Sequence, residues 1–225
     1  GTLRGACAQS LHPSPQGDPG ACGAADPATV CDLVELRLTL RVPTNARSFS
    51  YQFQFWSSEY PTFRCTTYDD TFLALLTTSV LPPETNVSTG PSGEVISVNT
   101  GFLDICLDDF AGAPRDINGN GTVTAGEVVP TTNNCSIENG SALAATGYVF
   151  DNDATNNGVP DLAGSQSVGA GATTLLTSFV PVQPGELITL RFLIFEEGDD
   201  ALDSSVVLDN FQWGEFPVPG PVTQQ

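Results

Sequence analysis

The chain has 225 residues, enough for one all-β domain with a sizeable core, and its seven basic residues face 26 acidic ones for a net charge of -19. That balance repels phosphate backbones and anionic headgroups, which excludes nucleic acid and membrane surfaces as natural partners. No apolar run reaches the about 20 residues of a membrane-crossing helix, so no membrane insertion is expected, and the excess carboxylate asks for divalent cations.

Residues 1–31 are rich in Gly, Ala and Pro and hold Cys7, Cys22 and Cys31, three of the six cysteines, so they read as a stapled, irregular N-terminal segment. An even cysteine count, no C-x-x-C pair and one histidine, His12, favour disulfides over zinc and imply an oxidising compartment. The pairing expected is Cys106 with Cys135, across a polar insertion. The absence of methionine fits a mature, processed product, secreted and displayed at the cell surface.

From residue 32 the pattern changes to period two. Val34, Leu36, Leu38, Leu40 and Val42 alternate with Glu35, Arg37, Thr39 and Arg41, and Phe49, Tyr51, Phe53 and Phe55 alternate with Ser50, Gln52 and Gln54. Both read as half-buried strands. Further strands are expected at 71–79, 94–105, 145–150, 173–181, 186–195 and 204–213, between clusters of Pro, Gly and Asn. About eight strands without helices predict an all-β fold, an antiparallel β-sandwich of jelly-roll type, over residues 32–215. The stretch 107–142 is too long and polar for a hairpin loop and reads as an insertion carrying its own metal. Residues 216–225, with Pro217, Pro219 and Pro221, read as a tail or linker.

The sharpest motif lies inside that insertion. Asp116-Ile-Asn-Gly-Asn-Gly-Thr-Val-Thr-Ala-Gly-Glu127 fits a twelve-residue calcium loop, with side-chain oxygens from Asp116, Asn118 and Asn120, the backbone carbonyl of Thr122, and Glu127 placed to ligate through both oxygens. A hard cation takes six to eight oxygens, and alternate residues of one tight loop can aim them at a common centre. Pro114 and Pro130 exclude flanking sensor helices, so the loop reads as a structural clip. A second acidic run, Asp151 to Asp161, offers Asp151 and Asp153, and competes with a plain Asx-rich turn. A third set, Glu59, Asp70 and Asp203, sits at the ends of expected strands, where carboxylates can converge on calcium at the rim of a sandwich. Asp209 belongs with these core-flanking acids, whereas Glu197 reads as solvated.

The block Phe53-Gln-Phe-Trp-Ser-Ser-Glu-Tyr60, followed by Asp69-Asp-Thr-Phe72, resembles the signature of the choice-of-anchor L domain of bacterial extracellular surface proteins. Val180-Pro-Val-Gln-Pro-Gly-Glu186 and Asp203-Ser-Ser-Val206 resemble its closing strands, so the resemblance spans roughly residues 30–213. Ser58, Glu59, Asp70, Asp203 and Ser204 fall on matching positions, and Ser57 stands where the family commonly has Ala. The resemblance implies surface display without catalysis. The residues agree, because His12 is poorly placed to serve a nucleophile, and a Glu59–Asp203 acid pair for glycoside hydrolysis ranks below a metal role for the same acids. The expected function is a non-enzymatic, calcium-binding structural or adhesive module that associates with identical subunits, the alternative being a calcium-dependent binder of surface glycans through Trp56, Tyr60 and Phe63.

Overall fold

In the computed structural model the described residues are 8–9, 29–60, 68–90, 93–99, 103, 105–106, 137–138, 171–198 and 204–224, with the backbone alone described for 8–9, 29, 105–106 and 137–138. They contain no helix. In chain order the strands are β1 (Ala8–Gln9), β2 (Thr29–Arg41), β3 (Ser48–Ser57), β4 (Thr71–Thr77), β5 (Thr85–Asn86), β6 (Ile96–Ser97), β7 (Ile105–Cys106), β8 (Ile137–Glu138), β9 (Gly171–Ala172), β10 (Leu176–Pro181), β11 (Leu187–Glu197), β12 (Ser204–Gly214) and β13 (Val222–Gln224).

They form two facing sheets, an all-β sandwich. One sheet runs β1-β2-β11-β4-β5, with β6 also on β4. The other runs β13-β10-β3, with β12 along the opposite side of β3, and β9, β7 and β8 continuing from its far end. All ladders are antiparallel except β7–β8. The six long strands β2, β3, β4, β10, β11 and β12 alternate between the two sheets along the chain, so none of them pairs with its sequence neighbour.

The core follows from the alternation in β3. Phe49, Tyr51, Phe53 and Phe55 all point inward and are buried, against Phe72, Ala74 and Leu76 of β4 and Ile188, Leu190 and Phe192 of β11. Ring pairs lock the layers: Phe53–Phe72 at 5.3 Å between centroids and Tyr51–Phe192 at 5.2 Å, edge to face. Strand β4 lacks alternation because both its faces are covered. Leu73 and Leu75 turn to a second, smaller cluster with Val30, Val95, Leu193 and Phe195. The Tyr51 hydroxyl enters the core with partners, bonding Ser88 Oγ, and burial raises its pKa. A further buried hydroxyl pair, Ser178 with Thr223 at 3.1 Å, ties β10 to β13. The Pro-rich tail, expected as a linker, thus closes an edge of the second sheet through β13.

Two expectations about faces change. The apolar row Val34 to Val42 is buried only at Val42, just past the end of β2, whereas Val34 and Leu36 are 41 % and 48 % exposed because β2 lies at an open side of the sandwich. In β12 a bulge after Asp209, with Asn210 in the left-handed region at φ 52°, resets the alternation and turns Phe211 and Trp213 onto Phe49. Among the described residues, the expected strand 94–105 contributes β6 and the start of β7, and the expected strand 145–150 lies outside them.

Candidate functional site

One end of the sandwich collects acid. Here β3 and β11 finish, β4 and β12 begin, and the segment after β6 crosses. Glu59, Asp69, Asp70, Glu196 and Glu197 are all buried there, none more than 6 % exposed. Several local devices put them inside. Ser57, the last residue of β3, accepts the Glu59 backbone N–H at its Oγ (3.0 Å), which turns the chain inward after the strand. The Glu59 carboxylate then accepts the Asp70 backbone N–H at 3.4 Å. Asp69 Oδ1 accepts the Asn99 N–H at 2.7 Å, and the Asp70 carbonyl accepts the Val98 N–H at 3.1 Å, fixing the approach to β4 between neighbouring segments. On β11 an irregularity between Ile194 and Glu196 breaks the in-and-out alternation, so Phe195, Glu196 and Glu197 are buried in succession opposite Val30 and Cys31.

Asp70 is the centre of this arrangement. Its Oδ2 accepts the Ser204 hydroxyl, which comes from the first residue of β12, and its buried Oδ1 has no hydrogen-bond partner. Burial pushes its pKa well above the ordinary aspartate range, and the charges of Glu59, then Glu196 and Asp69, push the same way against the Ser204 bond. An ionised carboxylate in such a place is costly unless a proton or a cation neutralises it. Among the described residues no three carboxylate, thiolate or imidazole groups are arranged to hold a metal ion by themselves.

Of the sequence-predicted ligands, Glu59 and Asp70 are brought together. Asp203 lies outside the described residues, although its neighbour Ser204 bonds Asp70. Asp116, Asn118, Asn120, Thr122, Glu127, Asp151 and Asp153 also lie outside them, as do His12 and Phe63. Sequence reasoning placed two acids on the wrong side of the surface. Glu197, expected to be solvated, is buried, and Asp209, expected to flank the core, is exposed at the bulge of β12. Tyr60, weighed as an exposed platform for sugars, is fully buried. It is crossed by β9 so closely that a Cβ on Gly171 would stand 2.4 Å from the Tyr60 ring, which is why glycine occupies that position.

Cys31 is buried opposite Glu196 and is disulfide-bonded. The expected Cys106–Cys135 pairing falls on Cys135, outside the described residues. The chain matches no known family, no characterised protein and no solved structure in the comparisons made with each.

Proposed function

We propose that this chain is a non-enzymatic, extracellular structural or adhesive module of the choice-of-anchor L kind, with one end of its sandwich clamped by calcium. The observation that carries the reading is Asp70, a buried carboxylate with an oxygen that accepts no hydrogen bond, amid buried acids. Calcium at Asp70 Oδ1, with Glu59 beside it and hydroxyl, carbonyl and water oxygens completing the shell, removes the cost of that burial.

Three further features support the reading. Three of the motif residues that carry the family resemblance, Glu59, Asp70 and Ser204, come from three separate strand ends and are joined by hydrogen bonds through Asp70. The Cys31 disulfide suits an oxidising, extracellular setting. The long strands alternate between sheets, as in a jelly roll, and that topology belongs to the proposal. The 116–127 loop is a second calcium clip in this reading, identical subunits are the partners, and the acids serve the cation instead of catalysis.

Calorimetric titration of calcium-stripped protein tests it. A binding event lost in Asp70→Asn and kept in a Glu127→Gln loop variant supports the clamp. Heats that are identical in wild type and Asp70→Asn place calcium elsewhere and overturn it.

A further inference from the structure

The open side of the sandwich, away from the acidic end's chemistry, carries a second message. Among the described residues, strand β2 from Val34 to Arg41 is paired on one side only, with β11; β1 pairs with its other side at Thr29 and Val30. The inward row of this edge is apolar, and a groove of about 450 Å³ opens between it and β12, with Leu36, Leu38 and Leu40 on one wall and Leu208, Phe211 and Trp213 on the other. An edge strand of this length with exposed leucine and valine is a template for adding another strand.

The occupant is indicated by charge. Overall the chain repels its own copies, yet three of its seven basic residues, Arg37, Arg41 and Arg191, stand on β2 and β11 at this side. Glu35 lies among them, accepting Arg37 Nε at 2.7 Å and Arg191 at 3.1 Å, so the edge is nearly neutral on a strongly acidic molecule. The sequence of β2 is also self-complementary. When two β2 strands run antiparallel about a two-fold axis at Leu38, Leu36 faces Leu40 of the other copy on the groove side. On the outer side Glu35 faces Arg41 of the other copy, and Arg41, whose guanidinium bonds only the Gly185 carbonyl among the contacts seen here, faces its Glu35. Shifting the axis to Arg37 sets like charges face to face, which disfavours that register.

We propose that two copies of this chain join β2 edge to β2 edge in this register, forming one continuous sheet across an isologous dimer and closing both grooves. The proposal stands apart from the calcium clamp, which lies at the end of the strands.

Register-specific cross-linking tests it. In an antiparallel pair centred on residue 38 that residue meets its own copy, within the about 4.4–6.8 Å Cα separation a disulfide spans. Leu38→Cys is therefore expected to oxidise to a covalent dimer. Arg37→Cys and Thr39→Cys should cross-link when mixed and neither should do so alone. Sedimentation of unmodified protein should show a monomer–dimer equilibrium whose dissociation constant rises about tenfold in Arg41→Glu, since two attractive pairs become repulsive. A monomer at all concentrations overturns the proposal. So does cross-linking of Arg37→Cys with itself, which would set a different register. So does slow amide exchange along β2 in a monomeric sample, which would mean that the chain covers its own edge.

Discussion

Replacing Asp70 by asparagine should change stability with opposite sign in the absence and presence of calcium. In chelator at neutral pH the wild type must ionise, or protonate at a cost, a carboxyl that burial and the neighbouring Glu59, Glu196 and Asp69 charges disfavour as an anion. The amide is nearly isosteric, keeps an oxygen for the Ser204 hydroxyl and carries no charge, so Asp70→Asn should unfold at the same temperature as wild type or higher. With calcium at about 100 times its dissociation constant the wild type gains about 2.7 kcal/mol by mass action. For a domain of this size that corresponds to a rise in Tm of about 5–10 °C. The variant should gain none of it, so the order of the two melting curves inverts. Scanning calorimetry in chelator and in saturating calcium measures this, in a Glu127→Gln background that silences the 116–127 loop. A variant destabilised equally in both conditions would mean that Asp70 supports the fold only through Ser204, and the clamp argument fails.

Acid should weaken the opposite side of the first sheet. Hydrogen bonds from Arg191 and then Arg37 hold the Glu35 pKa at about 2, below its ordinary 4.5. That contribution is present above pH 4.5 and is lost as pH falls from there through about 2, and Glu35→Gln should remove this part of the acid limb in thermal melts. In chelator Asp70 gives the reverse trend, its raised pKa favouring the fold below pH 3.8 and weakening it as pH rises. Phe53→Ala, at the fully buried centre between Tyr51 and Phe72, should cost about 3–5 kcal/mol in urea unfolding. Gly171→Ala should cost about 1–3 kcal/mol, because its new methyl meets the Tyr60 ring and β9 must shift. An unchanged midpoint would show that this crossing yields freely.

How much of this was legible beforehand depends on the range of the signal. The strands β2, β3, β4, β10, β11 and β12 are visible as alternation or as short apolar runs, because the pleat imposes a two-residue period locally. Which strands pair was not legible, since each long ladder joins distant segments, such as Arg41 with Leu187. Glu59 and Asp70 were recognisable as a pair because both flank apolar runs and sit in a shared motif. The burial of Glu197 was not, because an irregular step in β11 buries successive residues, and periodicity carries no mark of such a step. Asp209 misled for the related reason that the β12 bulge swings it outward. The tail was misread because its prolines mask three residues whose value comes from a partner strand more than forty residues earlier.

The alternation of long strands between sheets also governs when the chain can fold. Neither β2 nor β4 finds its broad partner until β11 exists, and β3 waits for both β10 and β12. Among the described residues no hairpin joins two long neighbouring strands as an early nucleus, and the β2–β11 and β4–β11 ladders bring together residues separated by more than a hundred positions, which is intrinsically slow. A nascent chain that stops before Leu187 holds most of the core's aromatic side chains but none of the strand that joins β2 to β4, and stays open until about the final sixth of the chain arrives.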